Sequence, residues 1–211
     1  MIAEDLAGFG ERWADPVHDD PITNAAETLA CKVEKIGCQD VILAGHSLGG
    51  AVALQISRIV SNQVWGIASI EGNLIAEDCG MSRRFAAAMT PAECAAIKSK
   101  AIYEAERSEN PGIRDWARDL SNVSPTTLQM YSKQLVALSD SGELLRQFRA
   151  ERCRKIYMHG DEYVGHPVLE CIGSIHVEHI KGAGHVNFVG DAPQACARAL
   201  SRILSQAIAA E

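Results

Sequence analysis

Two hydrophobic rhythms alternate along this chain. Short apolar runs at residues 40–44 and Val64–Ile70, and again at 155–158 and 175–180, are bounded by polar or glycine-containing turns. Runs of this length predict strands, and those at 40–44 and 64–70 lack polar alternation, which predicts burial on both faces. Residues 1–3 predict the end of one more strand, running into a glycine-rich turn at residues 5–10. Between the strands the spacing lengthens to a helical period. Residues 24–36 place Leu29, Val33 and Ile36 on one face, with Asn24 and Glu27 forming a capping-box-like start and Gly37 a stop. Helices are also predicted over 48–60 and 194–209, the last with Cys196, Leu200 and Ile203 among its apolar positions. Strand and helix alternate, so the fold class is α/β with a mainly parallel sheet.

The alternation breaks in the middle. From Asn73 to about Arg154 the pattern is helical, with strong starts at Thr90, Pro91, Ala92 and Glu93 and at Ser124 and Pro125. The expected organisation is one α/β core, residues 1–74 and 151–211, interrupted by a helical insertion at 75–150. Insertions of that length in a compact domain are usually functional, often lids.

Composition narrows the function classes. The 211 residues are 47% hydrophobic and 22% charged, with a formal net charge of -7. No basic block appears, which argues against nucleic acid or an anionic membrane as partner. No run of about 18 apolar residues exists, so no bilayer-spanning helix is expected. The start lacks a basic segment, so a signal peptide is not expected. Seven scattered cysteines, an odd number with no C-x-x-C pair, predict buried reduced thiols and a cytoplasmic protein.

Gly45, His46, Ser47, Leu48 and Gly49 match G-x-S-x-G between a buried strand and a helix. A turn that tight requires small residues on either side of the serine and pushes the Ser47 hydroxyl outward. The helix starts at the serine, so its free N–H groups and positive dipole end face any oxyanion formed there. The Leu48 N–H is the expected donor. A serine hydroxyl needs a base at neutral pH. His185, in the loop after the last strand beside Gly182 and Gly184, is placed to supply it. His46 is expected to pack rather than to act.

With these motifs the chain resembles the α/β-hydrolase family from end to end. Residues 5–10 are similar to the loop after that fold's fourth strand, Ser47 to its nucleophile elbow, 75–150 to its helical cap, and the loop around His185 to its histidine loop. In most of the family the acid of the triad follows the seventh strand. Here that position is Tyr163, which supplies no carboxylate. Some members, notably a group of haloalkane dehalogenases, place the acid after the sixth strand, which corresponds to Glu71. Glu71 is favoured, with Asp161 and Glu162 as alternatives. The resemblance implies a capped serine hydrolase that forms an acyl-enzyme on a carboxylic ester, thioester, lactone or amide. It implies a small-molecule acyl substrate and no metal or organic cofactor. Phe85, Met89, Trp116, Met130 and Tyr131 are candidate pocket residues. The first three strands of the family, and the second oxyanion donor that follows them, have no counterpart. That gap implies an N-terminally truncated product. The rival readings are a non-catalytic small-molecule-binding protein and an inactive fragment on the same fold.

Overall fold

A computed structural model describes residues 2–208. In chain order the elements are α1 (Pro21–Ile36), β1 (Val41–His46), α2 (Leu48–Ile59), β2 (Val64–Ile70), α3 (Gly80–Ala87), α4 (Pro91–Glu106), α5 (Pro111–Asn122), α6 (Pro125–Asp140), α7 (Glu143–Ala150), β3 (Arg154–His159), α8 (Val168–Cys171), β4 (His176–His179), α9 (Phe188–Asp191) and α10 (Pro193–Ile208). The four strands form one parallel sheet in the order β1-β2-β3-β4.

The two central strands obey the period of two that a sheet covered on both faces requires. Ile67 and Tyr157 point into one apolar cluster, shared with Ile22 and Ala26 of α1, Leu54 of α2, and Phe148 of α7. Ala68, Ile70, Ile156 and Met158 point the other way, towards Phe188, Cys196 and Ala199 of α9 and α10. The outer strands are less covered. Ala44 of β1 is exposed, as are His176, Val177 and His179 of β4. The expectation that residues 40–44 are buried on both faces therefore fails at Ala44, which points to the face opposite Leu43, and it is Leu43 that joins the core under α1 and α2.

The helices at 80–150 fall into two groups. Tyr131, Leu135, Leu144 and Phe148 of α6 and α7 join the main core. Phe85, Cys94, Ala101 and Leu120 build a separate small core within α3, α4 and α5, closed by Val123 and Leu128. The predicted starts at Thr90 and Ser124 are helix caps. Each hydroxyl accepts from the N–H three residues on, Glu93 at 3.1 Å and Thr127 at 3.0 Å, with proline at the first helical position. Gln134 bolts α6 to the start of α1: its Oε1 accepts from Ile22 N at 2.6 Å and its Nε2 donates to Thr23 Oγ1 at 2.9 Å.

Three local expectations need correction. Residues 2–6 form no strand and residues 2–5 are exposed; Met1 lies outside the described residues. Helix α1 begins at Pro21 rather than Asn24, since proline at the first position needs no N–H acceptor; Asn24 instead donates to the Asp19 carbonyl at 2.6 Å. The thiols are all free, but Cys31 and Cys38 are exposed and Cys153 and Cys171 half-buried: Cys31 lies on the outer side of α1 and Cys38 in the loop just after it. Ala209 and the Ile203 side chain, both predicted in the closing helix, lie outside what is described.

Candidate active site

The strand β1 stops at His46 and α2 starts at Leu48, so Ser47 alone makes the turn. Its backbone sits at φ 50°, ψ -121°, a conformation that costs a non-glycine residue of order 1–3 kcal/mol. Two backbone bonds hold it there: Ser47 N–H donates to the Ile70 carbonyl at 3.0 Å, and Gly50 N–H to the Ser47 carbonyl at 2.8 Å. Of the two glycines of the motif, only the first meets a steric demand. A Cβ at Gly45 would overlap the Gly49 carbonyl, whereas a Cβ at Gly49 would meet nothing within 4 Å. The close approach beyond the elbow belongs to Gly50, whose Cβ would stand 3.0 Å from Gly72 Cα. The first N–H groups of α2, Leu48 first, have no acceptor inside the helix.

Glu71 follows β2 directly and is fully buried, with φ 43°. Its Oε1 accepts from Gly160 N–H at 2.7 Å. Its Oε2 lies 2.6 Å from Nδ1 of His185, whose loop follows β4. The structure thus brings Glu71 to His185. It takes Asp161 elsewhere: that carboxylate faces His179 Nε2 at 2.8 Å and the Gly182 N–H at 3.0 Å. Glu162 reaches only the His185 backbone N–H, at 3.4 Å. Tyr163 lies nearly parallel to the His185 ring, 5.8 Å between centroids.

The Ser47 hydroxyl donates to Asn73 Oδ1 at 3.3 Å, and among the described residues it makes no hydrogen bond to His185. Asn73 is held in turn by its Nδ2, which donates to the Asp78 carbonyl at 2.9 Å. Asp78 is buried; its Oδ2 accepts from Ile75 N–H at 2.9 Å, and Oδ1 stands 3.5 Å from His166 Nδ1. Burial pushes the Asp78 carboxyl up to about 7. Burial likewise lowers His46 to about 4, helped by the nearby His185, so its imidazole is neutral. The His46 ring tilts against His185 at 4.9 Å and against Phe188 at 6.1 Å.

Asn73, Asp78 and His166 carry no motif, and sequence reasoning missed them. Only the position of Asn73, two residues past Glu71 at the end of a strand, hinted at one of them. The candidate pocket residues scatter. Met89 is exposed, Tyr131 packs on Phe9 in the main core, and Phe85 fills the small helical core. Trp116 lines a cleft of about 920 Å³ with Phe9 and Trp13, which none of Ser47, Glu71 and His185 lines.

The model of the alpha/beta hydrolase family matches residues 2–199. The chain belongs to that family. Among curated proteins none matches it. Solved structures similar to this alpha/beta hydrolase include a thermophilic esterase from Thermogutta terrifontis, at 19% identity over 96% of this chain and 78% of that one, TM-score 0.69. A bromoperoxidase from Bacillus anthracis is 18% identical over 95% and 80%, TM-score 0.63. AqDC, which recognises and ring-cleaves the Pseudomonas quinolone signal, is 16% identical over 94% and 78%, TM-score 0.72. At these identities the likeness is one of fold. No helix among the described residues is long and apolar enough to cross a membrane.

Proposed function

We propose that this alpha/beta hydrolase is a serine hydrolase that cleaves carboxylic esters or related acyl compounds through an acyl-enzyme. Ser47 Oγ attacks the acyl carbon while His185 Nε2 takes its proton. Glu71 holds the Nδ1–H tautomer and stabilises the imidazolium, and Leu48 N–H receives the oxyanion. The imidazolium then protonates the leaving alcohol, and water, deprotonated by the same nitrogen, releases the acid. The observation that carries this reading is the 2.6 Å contact between His185 Nδ1 and a fully buried Glu71, beside a serine on a strained elbow. The reaction requires the serine hydroxyl to turn from Asn73 to His185. Helices α3, α4 and α5, with their own apolar core, are the part suited to cover an acyl chain. The esterase activity named for the Thermogutta relative supports the reaction class.

The test is labelling by a fluorophosphonate, followed by p-nitrophenyl esters of increasing chain length. Wild type is expected to label at Ser47 and hydrolyse the short esters, and Ser47→Ala to do neither. Labelling elsewhere, or none, would refute it. The Ser47–Asn73 hydrogen bond favours a second reading, a binding protein with a resting serine, and unlabelled but folded protein would support that instead.

A further inference from the structure

We propose that His46, Glu71 and His185 form a binding site for zinc(II), and that occupation of this site switches the hydrolase off. The switching half rests on the assignment of His185 as the base; the binding half does not.

One ring nitrogen of each imidazole and one carboxylate oxygen of Glu71 lie within 4.8 Å of one another. Tetrahedral zinc holds nitrogen and oxygen ligands at about 2.0–2.2 Å, which sets ligand atoms about 3.3 Å apart. The widest pair would have to close by up to about 1.5 Å and the 2.6 Å Glu71 Oε2–His185 Nδ1 pair to open by about 0.7 Å for the ion to enter. Two imidazoles and one carboxylate are a common zinc donor set, and they leave a fourth position open.

Two of the three ligands are prepared by the surrounding fold. His46 Nε2 is buried and has no hydrogen-bond partner, so a metal would satisfy an atom the fold leaves unpaired. Its ring packs against those of His185 and Phe188. Glu71 spends Oε1 on the Gly160 N–H, the kind of outer contact that orients a metal-binding carboxylate, and turns Oε2 towards the imidazole. The hydrolytic reading gives His46 no task, although it adjoins the nucleophile.

The proton balance explains inhibition. Neutral His185 carries one ring proton, on Nδ1 while it faces Glu71. If zinc binds Nδ1, that proton moves to Nε2, which then has no lone pair for the serine proton. If zinc binds Nε2, the lone pair itself is taken. Either way no base remains, and removing the metal restores it.

Zinc affinity is measured by competition with a chromogenic chelator, on the metal-stripped 211-residue chain in a Cys31→Ser, Cys38→Ser background that removes the exposed thiols. Expected are one tight zinc per chain, retained in Ser47→Ala and weakened about 100-fold or more in His46→Asn and Glu71→Gln. Fluorophosphonate labelling of the parent should fall with the same zinc dependence and recover with EDTA, while the ratio of rates with and without zinc stays near one in His46→Asn. Melting of each metal-free variant checks its fold. Equal affinity in parent and folded His46→Asn would place the metal elsewhere and overturn the proposal, as would absence of stoichiometric binding. Zinc binding that depends on His46 in a protein that never labels would instead sink the hydrolase reading and the switch, leaving the metal site standing.

Discussion

Replacing Glu71 with glutamine changes one atom at the centre of the site. The wild-type carboxylate accepts at both oxygens, from Gly160 N–H at 2.7 Å and from His185 Nδ1–H at 2.6 Å. Glutamine has one oxygen and one NH2. If the oxygen keeps Gly160, the NH2 faces His185 Nδ1 and selects the tautomer with its proton on Nε2, which cannot accept from serine. If the amide flips, its NH2 meets the Gly160 N–H and a buried donor loses its partner, at about 1–3 kcal/mol. The first arrangement is therefore favoured. Loss of the productive tautomer in a triad costs about 10⁴-fold in kcat, or about 5.5 kcal/mol of barrier. KM should change little, since Glu71 is fully buried. A chain of this size melts about 2–4 °C lower per kcal/mol lost, so the variant remains folded at 25 °C. The assay is steady-state ester hydrolysis beside a melting curve, with Asp161→Asn as control. Asp161 is exposed and paired with His179, so that change should leave kcat within about threefold. If Glu71→Gln kept more than about a tenth of wild-type kcat while melting normally, or if Asp161→Asn fell as far, the assignment of Glu71 would be wrong.

Other consequences follow from neighbouring contacts. Gly45→Ala should destabilise by about 3 kcal/mol or more, because its Cβ overlaps the Gly49 carbonyl, whereas Gly49→Ala, with open space around it, should be neutral or gain up to about 1 kcal/mol; denaturant titration of both tests this. Asn73→Ala frees the Ser47 hydroxyl from a competing acceptor worth about 0.5–1.5 kcal/mol, so fluorophosphonate labelling should accelerate by about 2–10-fold; a slowing of that size would make Asn73 a positioning residue. Asp78 holds its proton more tightly folded, at about 7, than at the ordinary 3.8, so its contribution is fully present below pH 3.8 and is lost as pH rises through 7. Asp78→Asn should therefore be more stable than wild type to denaturant at pH 8, by on the order of 4 kcal/mol, with the gap closing towards pH 4; equal curves at pH 8 would contradict the burial of that charge.

What the chain disclosed in one dimension follows from the range of the forces involved. The strands Val64–Ile70 and Arg154–His159 were legible because each is a run between covering helices, and the helix starts at Thr90 and Ser124 because a cap is a three-residue event. Ser47 was legible because a one-residue turn needs a small neighbour, although the sterics fall on Gly45 and Gly50 and spare Gly49. Glu71 and His185 were legible singly, each at a strand end, but their meeting spans 114 positions and depends on strand order. Asn73, Asp78 and His166 were illegible for the same reason: an ordinary turn and a buried carboxylate acquire meaning only beside Ser47. Residues 2–3 misled because a short apolar pair at the start of a chain is as compatible with an exposed coil as with a strand.

Asp191 accepts from Gly184 N–H at 3.1 Å, from Asn187 Nδ2 at 2.8 Å and from Asn110 Nδ2 at 3.2 Å, in the turn that opens α5. One carboxylate therefore anchors both the segment that presents His185 and the rim of the inserted helices. Gln134 clamps α6 to α1, while α3 and the turn into α4 are tied to α6 through Arg83–Asp140 and Gln129–Ala88, so Asn110 is the tie of α5 to the His185 loop. A displacement at either segment would pull on the other through that carboxylate, so the two are mechanically coupled.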